Sequence, residues 1–205
     1  MFVARILYPV EVLGPGERIG LWLSGCSKKC KGCSNPELWE QKKEQAITCA
    51  RLNTILHRLA LDHPVEGITI TGGEPMDQAE ELSQFLPLLY DLTDDILLYT
   101  GYTLEELHER KEPHTETVLR NIAVLIDGDY QEKLNHGAPL RGSSNQRIHI
   151  LNEKALSIYS QYLKNGNQIQ NFFMGDSIIS AGIHRPDYQK ALETAAEKKG
   201  LIESD

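Results

Sequence analysis

Short apolar segments that alternate with helical patterns constrain the fold of this chain more than any other feature of its sequence. The apolar segments predict strands at residues 3–8, 19–24, 66–71, 95–100, 121–126 and 148–150, and an extended pair of strands over 168–183. Apolar spacing predicts helices at 48–61, 77–90, 152–163 and 186–199, and Thr103 with Glu106 predicts a capping box that begins a further helix. Because strands separated by helices form parallel sheets, we expect an α/β fold with a mainly parallel sheet or a partial barrel.

Three of the four cysteines lie within eight positions, at Cys26, Cys30 and Cys33, with the spacing C-x3-C-x2-C. The residues between them are serine, lysine and glycine, so the segment is a polar loop rather than part of a core. Nearby lysine ammonium groups favour the thiolate, which is the form that binds soft metals. Iron–sulfur clusters are usually held by four thiolates, so three grouped ligands leave one iron for an outside ligand. The spacing therefore favours an iron–sulfur site.

Two other roles for these cysteines stay open at this point. A disulfide requires an oxidising compartment, and nothing in the sequence indicates one. A structural zinc site needs a fourth ligand, for which Cys49 is the only remaining cysteine, but zinc motifs usually consist of two close cysteine pairs. Cys49 opens the helix predicted at 48–61, where a small, half-buried side chain is the more common role. Zinc is the main alternative to iron and sulfur.

Length, charge and the N-terminal residues limit the class of protein. A chain of 205 residues fits one domain and leaves room for a small extension. Its net charge of −8 argues against a broad nucleic-acid surface, although Lys28, Lys29 and Lys31 form a local basic cluster. The chain has neither a signal-peptide pattern at its start nor an apolar run of roughly 18 residues, so we expect no membrane span. The sequence predicts a cytoplasmic protein, in which thiols stay reduced.

A second motif, Gly72-Gly73-Glu74-Pro75, directly follows the strand predicted at 66–71 and precedes a predicted helix. Two glycines let the backbone turn sharply and approach a ligand without intervening side chains. Pro75 restricts the backbone that follows and removes a hydrogen-bond donor. A strand, Gly-Gly-Glu-Pro and a helix, placed downstream of the cysteine loop, indicate a second part of one ligand site.

Together these residues resemble the radical S-adenosylmethionine (SAM) superfamily. The cysteine spacing and Gly72-Gly73-Glu74-Pro75 carry that resemblance. Within the superfamily, the chain is similar to the activating enzymes of anaerobic (class III) ribonucleotide reductase. The segments that carry this narrower resemblance run in the family's order over roughly residues 3–150: Gly14-Pro15-Gly16-Glu17-Arg18, Cys33-Ser34-Asn35-Pro36-Glu37, Leu98-Tyr99-Thr100-Gly101-Tyr102-Thr103, Ile126-Asp127-Gly128 and Arg141-Gly142-Ser143-Ser144-Asn145-Gln146-Arg147.

The resemblance implies a partial, mainly parallel (β/α) barrel of the radical SAM type. A radical SAM core would occupy residues 1–150, and a C-terminal extension at 151–205 would pack on the same domain. A [4Fe–4S] cluster would be held by Cys26, Cys30 and Cys33, with SAM chelating the open iron. Reductive cleavage of SAM would then generate a glycyl radical on the catalytic subunit of anaerobic ribonucleotide reductase or on another glycyl radical protein. A flavodoxin- or ferredoxin-type protein would supply the electron.

The resemblance also implies a set of cofactor-binding residues: Gly72, Gly73, Glu74, Pro75, Gly32, Thr100, Asp127 and Arg141. The Gly-Gly-Glu backbone would contact the methionyl amine of SAM. For Thr100, Asp127 and Arg141, a cap, a turn or a surface ion pair explains the residue at least as well. Gly32 stands where many superfamily members carry an aromatic residue. No catalytic side chain is assigned, and the extension motivates an alternative function, a related radical SAM enzyme acting on another protein, peptide or small molecule.

Overall fold

The central element of the fold is a six-stranded sheet in which the strands lie in chain order. The computed structural model describes residues 1–174 and 177–198. The strands are β1 (Val3–Val10), β2 (Arg18–Leu23), β3 (Gly67–Gly72), β4 (Ile96–Tyr99), β5 (Val124–Asp127) and β6 (Arg147–Ile150). Strands β2 to β5 pair in parallel, and β1 and β6 are antiparallel edges. The predicted α/β class with a mostly parallel sheet is confirmed. Among the described residues β1 does not pair with β6, so the sheet stays open and no closed barrel forms.

Six α-helices accompany the sheet in the described part of the chain. They are α1 (Cys49–Asp62), α2 (Ala79–Phe85), α3 (Leu104–Glu109), α4 (Pro113–Arg120), α5 (Leu156–Tyr162) and α6 (Tyr188–Lys198). The predicted capping box is confirmed, because the Thr103 hydroxyl accepts a hydrogen bond from Glu106 N–H and the Glu106 carboxylate accepts one from Thr103 N–H. Residue 199, the predicted end of the last helix, lies outside the described residues.

One predicted helix is divided in the structure, and one helix of the structure was not predicted. The helix predicted at 77–90 consists of α2 between two short 3-10 turns, Pro75–Gln78 and Leu86–Leu89. Pro87 lacks an N–H donor and its ring crowds the preceding turn, which explains why the α-helix ends at Phe85. A second helix, α4, follows α3 and was not predicted. Lys111 separates the two with a φ of 53°, and Pro113 occupies the first turn of α4, where proline is favoured.

The two faces of the sheet are covered by different elements. On one face, alternate strand residues pack against helices α1 to α4, through a core that includes Leu21, Ile70, Leu56 and Phe85. On the opposite face, residues of β4 and β5 pack against Tyr159 of α5. Because β2 is buried along its whole length, both faces of the central strands belong to the core.

The C-terminal part of the chain completes the second face with a hairpin of β7 (Ile169–Met174) and β8 (Ser177–Gly182). This confirms the predicted pair of strands over 168–183, apart from Gly175 and Asp176, which lie outside the described residues. Phe172 of β7 and Ile179 and Ala181 of β8 pack in one apolar cluster with Trp22 of β2. The extension thereby covers the face of the sheet that the first four helices leave uncovered.

A buried ion pair joins the amino-terminal ends of the strands. The Arg18 guanidinium is fully buried and donates to the Asp95 carboxylate, with Nη1 2.7 Å from Oδ2. Arg18 Nε also donates to Thr69 Oγ1, and Tyr159 donates its hydroxyl to Asp95 Oδ1 at 2.8 Å. One charge pair thus connects β2, β3, the residue preceding β4, and α5.

None of the helices in residues 1–174 and 177–198 is both long and apolar enough to cross a membrane.

Candidate functional site

The predicted site residues lie at the end of the sheet where the four parallel strands finish. The cysteine loop follows β2, Gly73 and Glu74 follow β3, and Thr100 follows β4. Asp127 is the last residue of β5. The carboxyl ends of parallel strands share one edge, and α/β proteins bind ligands there. The structure therefore gathers these parts of the sequence at a single edge.

The cysteine loop is held in shape by its backbone. Gly25 N–H donates to Leu38 O at 2.8 Å, and Cys26 N–H donates to Trp39 O at 3.0 Å. Within the loop, Cys33 N–H donates to Cys30 O at 3.2 Å. Gly25 and Gly32 adopt φ values of 95° and 75°, and Lys29 adopts 44°. These left-handed residues turn the chain back on itself, so that all three cysteines belong to one compact loop.

The Gly-Gly-Glu motif packs directly against the start of the cysteine loop. Gly73 N–H donates to Leu23 O and Glu74 N–H donates to Gly25 O, both at 2.8 Å. A Cβ atom at Gly73 would overlap the Gly25 carbonyl oxygen, and one at Gly72, where φ is 110°, would overlap Leu23 O. The absence of side chains at Gly72 and Gly73 therefore lets this segment pack against the backbone that begins the cysteine loop.

We expect Gly73→Ala to displace the cysteine loop and to lower the iron content of the reconstituted protein severely. The added methyl group meets backbone rather than a movable side chain, so the loop must shift. The matched control is Gly166→Ala, since a Cβ there would have no atom within 4 Å. Iron and sulfide analysis after anaerobic reconstitution checks the result, and a Gly73→Ala protein with a full cluster would contradict it.

Side chains from two other loops fix the outer side of the cysteine loop. The Asp77 carboxylate accepts from Ser27 N–H at 2.7 Å and from Ser27 Oγ at 2.9 Å. Tyr102 Oη donates to Asp77 Oδ1 at 3.0 Å. Sequence reasoning missed Asp77 and assigned no role to Tyr102. The available signal was that Asp77 follows Gly-Gly-Glu-Pro by two residues, while Tyr102 lies in one of the segments that carry the family resemblance.

Glu74 is a buried acceptor for the loop after β4. Its carboxylate accepts from Thr100 Oγ1 at 2.6 Å, from Gly101 N–H at 2.7 Å and from Met76 N–H at 2.9 Å. Burial raises the pKa of Glu74 to about 7, although the three donors act in the opposite direction. The Glu74 and Thr100 side chains are therefore bonded to each other, and they join the ends of β3 and β4.

The raised pKa of Glu74 predicts a specific pH dependence of stability in the cluster-free protein. The folded protein binds this proton more tightly than the unfolded chain, whose glutamates have a pKa of about 4.3. The stability contributed by the protonated Glu74 is thus fully present below about pH 4 and is lost as the pH rises through about 7.

Glu74→Gln is expected to abolish this loss. Urea unfolding of both proteins at several pH values checks it, because the other titrating groups are common to the two and cancel in the difference. If the free energy of unfolding of the wild type and that of Glu74→Gln decreased by the same amount between pH 5 and pH 8, within about 0.5 kcal/mol, the raised pKa of Glu74 would be contradicted.

Asp127 is paired within the protein. Its Oδ2 accepts from Leu104 N–H at 2.7 Å and from Arg147 Nη2 at 2.6 Å, and His149 Nε2 lies 2.9 Å from the same oxygen. Although burial raises its pKa, the hydrogen bonds from Arg147 and Leu104, together with the adjacent His149 imidazole, hold the pKa of Asp127 below the usual value. The Asp127 carboxylate stays charged and connects the end of β5 to β6 and α3.

Arg141 lies in the loop before β6 and keeps part of its guanidinium unpaired. Its Nη1 donates to Gln146 O at 3.2 Å, while its buried Nε has no hydrogen-bond partner among the described residues. Gln146, which sequence reasoning did not assign, fixes this loop. Its amide accepts from Gly142 N–H and donates to Gly128 O, both at 2.8 Å.

Two of the lysines in the cysteine loop interact with groups other than a thiol. Lys28 Nζ lies 3.7 Å from the centre of the Tyr102 ring, and Lys29 Nζ pairs with Glu40 at 2.8 Å. Burial raises the pKa of all three thiols in the loop. Burial thus opposes the thiolate form in the metal-free protein, whereas binding to iron would favour it.

Cys49 is occupied elsewhere. Its thiol donates to Glu81 O at 3.6 Å, and its side chain packs on the apolar core beneath α1 and α2. No three Cys, His, Asp or Glu side chains in residues 1–174 and 177–198 are arranged to hold a single metal ion. A cluster places its ligands on separate iron atoms and suits three cysteines spread along a loop. The zinc alternative, which requires Cys49, is not supported.

A partly open cavity of about 160 Å³ lies beside Cys33 on the second face of the sheet. Its lining combines the cysteine loop, the strand residues Trp22, Thr71 and Tyr99, and Tyr130. Residues 180–184 of the extension close its remaining side. Sequence reasoning associated the extension, including residues 181–184, with closure of a barrel or with a different substrate, but it did not place these residues at this cavity.

Comparison with known proteins agrees with this geometry. Residues 12–149 match the model of a family described as "4Fe-4S single cluster domain". Three curated relatives are named anaerobic ribonucleoside-triphosphate reductase-activating protein. The one from Vibrio cholerae is 37% identical over 157 residues, 69% of this chain and 94% of that protein. The one from Escherichia coli K12 is 34% identical over 153 residues, 70% of this chain and 96% of that protein.

The third, from enterobacteria phage T4, is 33% identical over 147 residues, 69% of this chain and 90% of that protein. The matched region contains the cysteine loop and all the strand ends that surround it. Because the match spans nearly the whole length of each relative and two thirds of this chain, the protein belongs to the family of anaerobic ribonucleoside-triphosphate reductase-activating proteins, with a single 4Fe-4S cluster domain.

Proposed function

We propose that this chain is a radical SAM enzyme that generates a glycyl radical on anaerobic ribonucleotide reductase. The observation that carries the proposal is the compact loop with Cys26, Cys30 and Cys33 at the carboxyl edge of the sheet, in a chain of the reductase-activating family. The catalytic subunit of that reductase is its protein partner, and a [4Fe–4S] cluster and SAM are its cofactors.

The cysteine loop fits the cluster in its donor set. Three thiols are grouped on the loop, and the fourth cysteine, Cys49, bonds elsewhere, so one iron keeps a position for SAM. When bound, the reduced cluster and SAM supply the chemistry, in which SAM is cleaved to methionine and a 5′-deoxyadenosyl radical that takes a hydrogen atom from glycine. The hydrogen bonds from Gly25, Cys26 and Ser27 hold the loop in position for that chemistry.

We propose that SAM is bound along the same edge by Gly72, Gly73, Glu74, Pro75, Gly32, Thr100, Asp127 and Arg141. The Glu74, Thr100 and Asp127 side chains already bond within the protein, so their part is to hold the strand ends in place while backbone atoms contact SAM. Arg141 differs because its buried Nε has no partner among the described residues. A guanidinium with a free donor suits a carboxylate such as that of SAM.

We also propose that the open sheet is the partial (β/α) barrel of the radical SAM type, with residues 1–150 as its core and 151–205 as an extension on the same domain. Four parallel strands with four helices on one face support the first part. The end of the family match at residue 149, next to the end of β6, supports the boundary.

The electron donor and the compartment are further parts of the proposal. Cleavage of SAM by the cluster consumes one electron, and a flavodoxin- or ferredoxin-type protein is the class of donor that we propose. All four cysteines are free thiols. Free thiols and an iron–sulfur cluster suit a reducing compartment, and we propose the cytoplasm.

Electron paramagnetic resonance of the anaerobically reconstituted, dithionite-reduced protein tests the function. We expect a reduced-cluster signal that changes when SAM is added, and a glycyl radical signal when the reductase catalytic subunit is also present. SAM cleavage without a glycyl radical would favour the alternative substrate class. A protein that binds zinc and no cluster would contradict the proposal as a whole.

A further inference from the structure

A groove of about 390 Å³ lies between the cysteine loop and the C-terminal extension. One wall is formed by residues 32–37, which include Cys33. The other is formed by Ile178, Ile179 and Ser180 of β8, by His184 and the two residues that follow it, and by Tyr188 and Leu192 of α6. The family match ends at residue 149, so the second wall lies outside the residues that match the family model. This chain therefore has a feature beside its cluster loop that the family comparison does not account for.

The groove runs along the edge of β8 rather than across one of its faces. Three consecutive residues of β8 line it, whereas successive side chains of a strand point to opposite faces. In the described part of the chain, β8 pairs with β7 on one side only. An unpaired strand edge presents a row of N–H and C=O groups that can bind another extended chain. The geometry offers backbone hydrogen bonds along one wall of the groove.

Contacts with the rest of the protein hold the extension, and with it the edge of β8, in a fixed position. Asn135 Nδ2 donates to His184 O at 2.8 Å, and Gln170 Nε2 donates to Pro9 O at 2.8 Å. Ile179 packs with Trp22 in the apolar cluster under the hairpin. Because several separate elements of the core contribute these contacts, the edge of β8 is preorganised opposite the cysteine loop.

The groove also adjoins the cavity of about 160 Å³ beside Cys33. The two share Cys33, Ser34 and Asn35 of the cysteine loop, and Tyr130, Ser180 and His184 on the other sides. A chain bound in the groove would therefore pass directly beside a cluster ligand. At the outer end, Ile178 is 52% exposed and offers an apolar contact at the entrance.

We propose that this groove binds the glycine-bearing segment of the reductase in extended form, by strand addition to β8. This inference rests on the proposed function. Glycine has no side chain, so a site that selects one must recognise the backbone around it, and strand addition recognises backbone directly. The extension then contributes the substrate-binding wall of the site.

The first test compares two aspartate variants of the hairpin. Ile178 lines the groove, while Phe173, which lies opposite it in the register and is 78% exposed, does not. We expect Ile178→Asp to weaken binding of the full-length reductase catalytic subunit about tenfold, or by more, and to lower the glycyl radical formed per SAM cleaved. Phe173→Asp should stay within about twofold of the wild type in both measurements.

The second test addresses backbone recognition directly. Synthetic peptides that span the radical glycine of the reductase are tested as competitors of the catalytic subunit. In one peptide set the odd-numbered backbone nitrogens are methylated, and in the other set the even-numbered ones. Because alternate N–H groups of a strand face its neighbour, one methylated set should compete about tenfold less well than the unmodified peptide, and the other set nearly normally.

The outcomes separate this inference from the proposed function. A wild-type protein that cleaves SAM but forms no glycyl radical on the reductase would refute the function and, with it, the groove's substrate. If the wild type forms the radical but Ile178→Asp binds the reductase as tightly as the wild type does, the groove proposal alone is refuted. The same holds if both sets of methylated peptides compete equally well. Thermal unfolding of both aspartate variants confirms that each is folded before binding is compared.

Discussion

Replacing any one of Cys26, Cys30 or Cys33 by alanine is expected to abolish binding of the [4Fe–4S] cluster and, with it, the cleavage of SAM. Each cysteine supplies one of only three protein ligands, and two thiolates do not hold a cubane that also binds SAM. Iron and sulfide analysis and visible absorbance after anaerobic reconstitution measure the loss. Substitution by serine should fail as well, since oxygen is a poor substitute for a soft thiolate ligand.

The matched control for these variants is Cys49→Ala, which is expected to keep the cluster and the activity. Cys49 donates to Glu81 O and packs under the helices, so its replacement removes a small, half-buried side chain. Loss of the cluster in this variant would mean that a fourth cysteine ligand exists, and the three-ligand assignment would be wrong. A retained cluster in any of the three loop variants would contradict it equally.

Asp95→Ala is expected to destabilise the fold by about 3–5 kcal/mol, because it leaves the buried Arg18 charge without its partner. The Arg18 side chain is 0% exposed, and it also holds β3 through Thr69. A loss of this size is a large fraction of the total stability of about 5–15 kcal/mol that is usual for a domain. Urea unfolding followed by tryptophan fluorescence gives the free energy, with an unchanged m-value indicating the same folded state.

The neighbouring residue provides the control for that measurement. Asp94 pairs with Lys154 at 3.2 Å on the surface, and their side chains are 54% and 81% exposed. Asp94→Ala should change the free energy of unfolding by less than about 1 kcal/mol, because exposed ion pairs are screened by water. If the two variants were equally stable, the Arg18–Asp95 pair would not be the structural centre that its burial indicates.

Much of the sheet could be predicted because it depends on local patterns. Each apolar run formed a strand. The strand predicted at 121–126 begins later, at Val124, because Asn121 N–H still donates to Val118 O at the end of α4. The capping box at Thr103 was predicted for the same reason, since both of its partners lie within three residues. Local patterns were least informative at breaks, such as the one at Pro87 that divides the predicted helix.

The roles of polar side chains at the strand ends were harder to predict, since they depend on partners far along the chain. Thr100 bonds to Glu74, and Asp127 to Arg147 and Leu104. These pairs are separated by about twenty residues or more, so no spacing rule relates them. The contact of Lys28 is a further example, because its Nζ lies over the ring of Tyr102, about seventy residues along the chain.

The sequence by itself determined the resemblance to the family, the grouping of the three cysteines and the sheet edge on which they lie, because these depend on motifs at short spacing and on the order of strands. Only the tertiary structure decided that Gly73 packs on the cysteine loop and that β8 forms a wall beside Cys33. Those contacts join segments that lie about 50 to 150 residues apart. Long-range packing, rather than local preference, selects such contacts, and the folded chain is needed to specify them.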